Sequence, residues 1–466
     1  LSNDLKLNII GEESKSKISK KLTIKNISIN SKKIIKNDVF FAIKGEKIDG
    51  NRFISEAFKK GSSLAIVNKI NKNYHVKKQI KVKNTLKVLT KCSSILRNTI
   101  DAKIISITGS CGKTTLKEMI GSILKKLSRT TYSPESFNNK YGVPLSLFNL
   151  KQNDEFGVFE VGMDKKGEID KLTKIIKPDL GIITNISYAH SKNFKSINQI
   201  ANAKAEIMNN IQKNGTIILN MDDNFYNYHK NLALKKKLKV FSFGIKSKFP
   251  STKLINIKRI KKNKYELLIN INGSLVVFYS QNSNKSHLYN ILATLTSINL
   301  FKDIKNLNKY IFLDFKTPSG RGDISKIKFK NKIFFLVDET YNSNPLSLKI
   351  AIENYDKIDV KNSKKHLILG DMLELGKNSI KQHKIISKVL NKTKIDKVYV
   401  FGKYIKNTFN GLKAEKKAKI LDSKFNLIDL INSNLNNNDY LMIKGSNSTG
   451  LNKITTNLKQ RIPHVI

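Results

Sequence analysis

Short apolar runs alternate with amphipathic segments along most of this chain. The clearest runs lie at residues 104–107, 156–159, 180–183, 216–219, 333–337, 366–369 and 440–443. Runs of this length are typical of buried strands, and the segments between them carry apolar residues at helical spacing. Strands that alternate with helices predict parallel sheets with crossover connections. The pattern therefore predicts the α/β fold class.

The same pattern divides the chain into three segments. Short β-like stretches at 22–29 and 39–43, a helix at 53–59 and a strand at 64–67 predict a small N-terminal α/β domain. At ~150 residues per domain, a chain of 466 residues has room for about three. We place the domains at 1–83, 84–314 and 315–466, with a helix at 84–99 leading into the central one.

The end of the central segment has a different character. Two apolar runs flank Asn272-Gly273, a dipeptide that strongly favours a tight β-hairpin. The lysine-rich stretch before it, 246–264, is most simply a solvated and variable surface. A helix is predicted to follow from His287 to Leu295, with Asn290 near its start.

Composition excludes several classes of protein. No apolar run approaches the ~18 residues that a membrane-spanning helix needs. Nothing at the N-terminus resembles an export signal, and only Cys92 and Cys111 are present, too few for a disulfide framework. We therefore expect a cytoplasmic protein without a transmembrane segment.

The charge is strongly positive, with 86 Lys and Arg against 36 Asp and Glu and a formal net charge of +50. Such a charge favours polyanion partners such as nucleic acid. The lysines, however, are spread along nearly the whole chain and accompany abundant Asn and Ile, whose codons are also rich in A and T. A drift in genome composition explains this at least as well, so we expect no specific nucleic-acid partner.

One stretch carries recognisable chemistry. The strand at 104–107 leads into Thr108-Gly109-Ser110-Cys111-Gly112-Lys113-Thr114-Thr115, and a helix is predicted at 114–126. Glycines let the backbone approach an anion, and the N-terminus of the helix points its positive end at the same spot. Lys113 would then serve the outer phosphates and Thr114 would bind Mg²⁺. Ile107 stands where the usual longer spacing has glycine, so a shortened P-loop is predicted.

Further polar residues follow the ends of other predicted strands. Glu160 follows one strand, and Thr184-Asn185 follows another and leads to His190. Because ligands collect beyond the carboxyl ends of parallel strands, Glu160 and His190 are candidate Mg²⁺ ligands, although either residue alone is more often a surface group or an ordinary polar residue. Lys204 lies on the apolar stripe of the next helix, where a lysine needs either a partner or a route to solvent.

With these residues laid out, the chain resembles the Mur ligase family over nearly its full length. The shortened P-loop is one shared motif. The others are Ser136-Phe137-Asn138-Asn139 with Gly142-Val143-Pro144-Leu145, Glu160-Val161-Gly162-Met163 with Gly167-Glu168-Ile169, Thr184-Asn185 with Ala189-His190, Asp338 with Tyr341-Asn342-Ser343-Asn344-Pro345, and Gly370-Asp371-Met372-Leu373-Glu374-Leu375-Gly376. The last two sets most resemble members that add D-alanyl-D-alanine to a UDP-N-acetylmuramoyl-tripeptide.

The resemblance implies a fold and a set of roles. It implies an N-terminal domain for the UDP end of the substrate, a central P-loop ATPase and a C-terminal Rossmann-like domain. The implied catalytic residues are Lys113, Lys204, His190 and Arg321. The implied nucleotide-binding residues are Gly109, Ser110, Cys111, Gly112, Lys113, Thr114, Thr115, Asn290, Arg321 and Asp338. The implied Mg²⁺ ligands are Thr114, Glu160, His190 and Lys204, with Lys204 carbamylated. The implied substrate-binding residues are Ser31, Lys32, Asn138, Asn139, Tyr341, Asn342 and Asn344.

The implied activity is an ATP-dependent amide ligation that proceeds through an acyl phosphate in a monomeric enzyme. Lys32 and Asn447 stand where arginine is common in the family, and the family's usual His-Asn pair near Asn290 reads Ser286-His287 here. The third residue of the tripeptide, meso-diaminopimelate or lysine, is left open. Another Mur-type ligase, a different P-loop phosphotransferase and a nucleic-acid-stimulated ATPase are the alternatives.

Overall fold

The structure, a computed structural model, describes residues 3–18, 22–46, 48–188, 191–329, 331–360, 362–422 and 427–460. Its helices are α1 Asn3–Ser14, α2 Ile54–Lys59, α3 Thr85–Asn98, α4 Lys113–Leu127, α5 Gly142–Leu147, α6 Glu168–Ile176, α7 Ile197–Ala205, α8 Tyr226–Lys235, α9 Lys285–Ile298, α10 Pro345–Asp356, α11 Ser379–Leu390, α12 Lys406–Asn410, α13 Leu427–Asn434 and α14 Leu451–Gln460. None of these helices is both long and apolar enough to cross a bilayer.

The strands are β1 Ile27–Ser28, β2 Val39–Phe41, β3 Leu64–Val67, β4 Gln79–Lys81, β5 Lys103–Thr108, β6 Thr130–Tyr132, β7 Phe156–Glu160, β8 Leu180–Ile183, β9 Thr216–Asn220, β10 Lys239–Gly244, β11 Thr252–Lys261, β12 Lys264–Ile271, β13 Ser274–Ser280, β14 Asp323–Phe329, β15 Lys332–Glu339, β16 Lys365–Gly370, β17 Lys397–Phe401, β18 Lys417–Leu421 and β19 Tyr440–Lys444.

The strands form three sheets. The first has the order β1-β2-β3-β4 and is parallel. The second has the order β13-β12-β11-β10-β9-β8-β5-β7-β6, and all its strand pairs are parallel except β11-β12 and β12-β13, which are antiparallel. The third has the order β14-β15-β19-β16-β17-β18, in which β14 is antiparallel. The predicted α/β class is therefore confirmed, and each sheet lies inside one predicted segment, while the domain boundaries remain predictions.

Several elements form where the local sequence predicts them. The helix expected at 84–99 begins after Asn84, whose side chain accepts a hydrogen bond from the backbone N–H of Lys87. The hairpin expected at Asn272-Gly273 joins β12 to β13, and both residues have positive φ angles of 49° and 92°. A left-handed conformation at both turn positions is what a type I′ hairpin requires.

Three local predictions are wrong in part. The β-like stretch at 22–29 pairs only at Ile27–Ser28, because its partner β2 is itself three residues long. The helix after residue 190, whose apolar stripe is predicted to extend to Ile211, ends at Ala205 and continues as a 3₁₀ turn over Glu206–Asn210. The stretch 246–264 contains β11, because Leu254 and Ile257 on this strand pack onto the core.

The first two segments of the chain share one hydrophobic core. One cluster of buried residues includes Leu7 on α1, Leu89 on α3, Val143 on α5 and Ile207 near α7. Helix α3 therefore packs on both the N-terminal and the central parts of the chain. The third sheet has its own two clusters, on opposite faces, around Leu367 and Leu441.

Candidate active site

The P-loop connects β5 to α4 at the carboxyl edge of the second sheet. Gly109 and Gly112 have φ angles of 144° and 82°, which residues with a side chain rarely adopt. A Cβ at Gly109 would collide with the hydroxyl of Thr184. Lys113 begins α4, so the N-terminus of a fifteen-residue helix points into the loop. This is the geometry with which proteins bind phosphate groups.

The segment after β8 holds the loop in place. The backbone N–H of Ser110 donates to the carbonyl of Asn185 at 2.9 Å, and the N–H of Cys111 donates to the Asn185 side chain at 3.0 Å. The Thr184 hydroxyl donates to the carbonyl of Cys111 at 2.7 Å. Thr184 and Asn185 belong to a motif that the sequence shows, but sequence reasoning gave them no role. Their contacts indicate that they fix the shape of the loop.

A cluster of oxygen atoms lies beside the first turn of α4. The Thr114 hydroxyl donates to Glu160 Oε2 at 2.5 Å and lies 2.9 Å from the Ser136 hydroxyl. Asn138 donates to Glu160 Oε1 at 2.6 Å. Thr114 and Glu160 are 4% and 1% exposed, so the carboxylate is buried with its hydrogen-bond donors.

This cluster suits Mg²⁺. The ion takes oxygen ligands, and beside a nucleotide it needs only one or two carboxylates because phosphates and waters complete its shell. Glu160 supplies one carboxylate and Thr114 one hydroxyl at the same point. His190, another of the predicted ligands, lies outside the described residues. Among the described residues, no group of three His, Cys, Asp or Glu residues forms an all-protein metal cage.

Arg321 reaches this cluster from the segment just before the third sheet. Its Nη2 atom donates to Thr114 Oγ1 at 2.8 Å and to Ser136 Oγ at 3.1 Å. Its guanidinium lies 4.0 Å from the centre of the Tyr341 ring, a cation–π contact. The flanking Gly320 and Gly322 both have positive φ angles, which shape the turn that carries the arginine. The family resemblance implies that Arg321 binds the nucleotide, and in the structure its side chain lies beside the P-loop.

Two lysines converge on one carbonyl of the P-loop. Lys113 Nζ and Lys204 Nζ each donate to the Gly109 carbonyl at 3.0 Å. Lys204 is 2% exposed, and burial, reinforced by the charge of Lys113, holds the pKa of its ammonium well below its usual range. Because Lys204 points inward to the loop, the alternative of a lysine that extends to solvent is wrong.

The C-terminal segment also contacts the P-loop through Asn344. Its Oδ1 atom accepts a hydrogen bond from the Cys111 thiol at 3.2 Å and another from Ser347 N–H at 2.9 Å, which caps α10. Its Nδ2 atom donates to the Ser110 carbonyl at 3.4 Å. Nearby, the buried Lys444 donates to the carbonyl of Asn342 at 2.9 Å. The predicted residues Tyr341, Asn342 and Asn344 therefore lie together beside the loop.

The other predicted residues lie around the P-loop or in the C-terminal segment. Asn290 is 7% exposed on α9, and a Cβ at Gly112 would lie 3.4 Å from its Oδ1. Thr115 is half-buried in the first turn of α4. Asn139 accepts from the N–H groups of residues 141 and 142, which starts α5. Asp338 binds Lys459 at 2.7 Å and Thr340 at 2.6 Å, so both of its oxygens have partners within the C-terminal segment.

The N-terminal candidates lie on a 3₁₀ turn, residues 31–33. The Ser31 hydroxyl donates to Glu56 at 2.6 Å, and the Lys32 carbonyl accepts from Lys60 at 2.7 Å. Lys33 forms an exposed ion pair with Glu135 at 3.4 Å. Since Glu135 precedes Ser136 of the oxygen cluster, this turn lies at the rim of the same site.

Sequence reasoning missed two lysines. Lys117, fully buried one turn along α4 from Lys113, donates to the carbonyls of Ser133 at 2.5 Å and Glu135 at 2.9 Å. Lys459 on α14 joins Asp338 to Asp323. The helical spacing of Lys117 from Lys113 was visible in the sequence, but the partners of both lysines come from distant segments. No local pattern reveals such contacts.

Comparison with known families agrees with this geometry. Residues 23–94 match a model described as the Mur ligase family catalytic domain, 107–298 match the Mur ligase middle domain, and 325–447 match the Mur ligase glutamate ligase domain. The chain belongs to the Mur ligase family, and the predicted ATP-dependent, amide-bond-forming ligase class is thereby confirmed.

Several individual proteins are similar to this chain over nearly its full length. A UDP-N-acetylmuramoyl-tripeptide--D-alanyl-D-alanine ligase from Rickettsia prowazekii is 33% identical over 94% of this chain and 96% of its own length. One from Buchnera aphidicola is 35% identical over 94% of each chain. The crystal structure of MurF from Acinetobacter baumannii matches with a TM-score of 0.83 at 25% identity, covering 97% of this chain and 98% of that one. MurF ligase from Thermotoga maritima in complex with ADP matches with a TM-score of 0.76 at 25% identity, covering 95% and 100%.

Proposed function

We propose that this chain joins D-alanyl-D-alanine to a UDP-N-acetylmuramoyl-tripeptide, using ATP, to give the pentapeptide precursor of peptidoglycan. The observation that carries the proposal is the contact of Arg321 with Thr114 and Ser136. Through it the C-terminal segment reaches the phosphate-binding loop of the central segment, so one site is built from both. The relatives that carry this activity in their names cover nearly the full chain, which supports the choice of substrates.

The chemistry requires activation of a carboxylate. An amine does not displace oxide from a carboxylate at neutral pH, whereas it displaces phosphate from an acyl phosphate. In the proposed reaction the terminal carboxylate of the tripeptide attacks the γ-phosphorus of ATP and ADP leaves. The dipeptide amine then attacks the acyl carbon, and phosphate leaves from the tetrahedral intermediate. The products are the pentapeptide, ADP and inorganic phosphate.

The residues of the site divide this work. The P-loop N–H groups and Lys113 bind the phosphates, and Arg321 neutralises charge on the transferring phosphoryl group. Asn290 and Asp338 would contact the nucleotide, as the family resemblance implies. Thr114, Glu160 and His190 would hold Mg²⁺, which when bound screens the negative charge of the phosphates. These assignments rest on the family resemblance and on the contacts described above.

Lys204 is assigned a role in a chemically modified form. We propose that CO₂ carbamylates its amine, as the family resemblance implies, so that a buried lysine supplies a carboxylate beside Mg²⁺. The support is its inward position, 3.0 Å from the Gly109 carbonyl and 2% exposed, where an ammonium beside Lys113 is disfavoured. Mg²⁺ prefers oxygen ligands and is repelled by an ammonium.

The proposed carbamate on Lys204 can be detected directly, without measuring turnover. Incubation with ¹³C-bicarbonate should produce a carbamate carbon signal in the wild-type protein that Lys204→Ala lacks and Lys166→Ala, an exposed-lysine control, retains. Lys204→Ala should also lose nearly all turnover, keep ATP binding, and regain part of its rate with small carboxylates. Absence of the wild-type signal, or full activity in Lys204→Ala, would exclude the modification.

The remaining predicted residues are assigned to the two substrates. The 3₁₀ turn with Ser31 and Lys32 would bind the UDP end of the UDP-muramoyl tripeptide, and Asn138 and Asn139 would bind the peptide of the same substrate. Tyr341, Asn342 and Asn344 would face the dipeptide. Lys32 offers a point charge where arginine offers a planar fork, so we expect weaker uridine-end binding than arginine would give.

One assay tests the whole proposal. ADP release is measured with UDP-muramoyl tripeptides that carry either meso-diaminopimelate or lysine, each with and without D-alanyl-D-alanine. We expect release that depends on the dipeptide and on one of the two tripeptides. Turnover indifferent to the dipeptide would favour another phosphotransferase, and release with an amino acid instead of the dipeptide would favour another Mur-type ligase.

Three further expectations accompany this proposal. We infer a cytoplasmic location, supported by the free thiols of Cys92 and Cys111. The monomeric state stays a prediction. We infer no specific nucleic-acid function, so DNA or RNA should bind only at low salt and should not raise turnover at physiological salt.

A further inference from the structure

The antiparallel end of the second sheet carries an unusual concentration of positive charge. Residues 246–264 contain eight Lys or Arg and no Asp or Glu, whereas the whole chain has 86 Lys and Arg in 466 residues. This density is more than twice the average of the chain. A uniform drift in composition explains the average, but it does not explain a local excess with no acidic residue.

The strand register shows which side chains share the outer face of this region. Lys253, Asn270 and Leu275 lie side by side across β11, β12 and β13, and so do Asn256, Leu268 and Val277. The opposite face carries Leu254, Leu267, Ile269 and Phe278, which pack in the core with residues of α9. The outer face remains open, since Leu275 is 62% exposed and Val277 is 38% exposed.

A large apolar side chain also projects from the loop before this face. Phe249, between β10 and β11, is 85% exposed. Ser251 of the same loop accepts a hydrogen bond from Asn272 of the hairpin turn at 2.8 Å, which places the loop beside the start of β13. Phe249 and Leu275 are the two most exposed large apolar side chains in the described part of the chain. Both therefore lie at the same end of the antiparallel unit.

Lysines lie beside these two side chains and continue along β11 away from them. Lys253 donates to the carbonyl of Lys248 at 3.1 Å, so both lie at the base of the Phe249 loop. Lys258 and Lys261 continue the row along β11 and are exposed. Glu266, the acidic group on the outer face of β12, accepts a hydrogen bond from the Tyr279 hydroxyl at 2.9 Å. The surface thus combines protruding apolar groups with a row of cations.

We propose that this surface, formed by residues 246–264 and β13, binds an anionic lipid bilayer. Peripheral proteins bind membranes by placing apolar side chains at the headgroup boundary while lysines contact anionic headgroups. Nucleic acid would use the lysines but would gain nothing from an aliphatic Leu275 and Val277. The proposal is independent of the ligase assignment, because none of these residues belongs to the P-loop site.

The test is vesicle flotation of the full-length protein at 150 mM NaCl. Vesicles of pure phosphatidylcholine are compared with vesicles of phosphatidylcholine and phosphatidylglycerol in a 70:30 ratio. We expect binding to the anionic vesicles and little to the neutral ones. Phe249→Ser combined with Leu275→Ser should weaken binding about tenfold, since each loses an apolar side chain at the interface. Leu234→Ser combined with Ile380→Ser, at exposed positions on α8 and α11, is the matched control and should leave binding unchanged.

The charge contribution is tested in the same way. The triple variant Lys248→Gln, Lys258→Gln and Lys261→Gln should weaken binding by about 10²-fold, because each lysine near an anionic surface contributes about a factor of five. The control removes three exposed lysines of α11 through Lys381→Gln, Lys384→Gln and Lys388→Gln. If both triples weaken binding equally, only the net charge matters and the proposed surface is wrong.

A spectroscopic readout makes the test independent of variant folding. The chain has no Trp, so Phe249→Trp introduces a single fluorophore. Anionic vesicles should shift its emission to shorter wavelength, while Leu234→Trp on α8 should show no shift. Absence of a shift, absence of vesicle binding at 150 mM NaCl, or tight binding of a single-stranded RNA in place of vesicles would each overturn the proposal.

Discussion

Replacing Arg321 tests whether the two segments meet in the working enzyme as the structure shows. Its Nη2 atom makes two hydrogen bonds, at 2.8 Å to Thr114 and 3.1 Å to Ser136, and its guanidinium stacks on Tyr341 at 4.0 Å. Hydrogen bonds that involve a charged group are worth about 1.5–3 kcal/mol, and a cation–π contact about 0.5–2 kcal/mol. Taking the lower values for this half-buried site, Arg321→Ala should cost about 3 to 4 kcal/mol in total.

That free energy corresponds to a decrease of roughly 10²–10³ in kcat/KM. Arg321→Lys should recover only part of the loss, because one ammonium cannot stack on the ring while bridging both hydroxyls. Tyr341→Leu should lose the stacking and also the proposed contact of the ring with the dipeptide, so we expect a decrease of at least about threefold to tenfold. The double variant shows whether the two side chains act together, since their effects should not be additive.

The assay is steady-state ADP release with the UDP-muramoyl tripeptide and D-alanyl-D-alanine both present. Arg129→Ala, which removes an exposed arginine of the central segment, is the matched control and should keep the wild-type rate. If Arg321→Ala stays within threefold of wild type, the bridge to Thr114 does not form during turnover. The assignment of Arg321 to the transferring phosphoryl group would then be withdrawn.

Three other substitutions give distinct expected outcomes. Lys113→Ala should lower turnover by at least ~10³, because a positioned cation on the phosphoryl group supplies several kcal/mol; near-normal turnover would remove the site. Lys117→Met should lower the melting temperature of the central segment by at least about 5 °C, because two buried carbonyls lose a charged donor; unchanged melting in calorimetry would contradict this. Burial lowers the pKa of His287 to about 4, so the unfolded state takes up the proton first and stability is lost as pH falls below ~6.5. His287→Leu should therefore flatten the decrease in melting temperature between pH 6.5 and 4, and an unchanged slope would contradict the buried neutral imidazole.

The sequence was most informative where structure is set locally. The P-loop was predictable because its glycines, its lysine and the flanking strand and helix are contiguous in the chain. Glu160 and Thr184 could be placed near it because parallel strands bring their carboxyl ends to one edge. These inferences need only strand periodicity and sheet direction, which are properties of short segments.

Contacts between distant segments could not be predicted in this way. Arg321 lies 207 positions from Thr114 along the chain, and nothing in either segment specifies their pairing. The partners of Lys459 are hidden for the same reason. The first strand was overestimated, since an apolar run becomes a strand only as far as its neighbour extends. For Arg321, resemblance to a family indicated a role in the site that periodicity alone could not.

The core shared by α1, α3 and the central segment has a consequence for synthesis of the protein. Its buried residues extend from Leu7 to Leu238. A ribosome adds about 5–20 residues per second, so the last of these residues follows the first by roughly 10–50 s. A smaller cluster, which includes Phe40 and Ile54, is complete within the first seventy residues. Until Leu238 has been synthesised, the nascent chain exposes the apolar side of α3. Chaperones that bind nascent chains would bind this apolar surface.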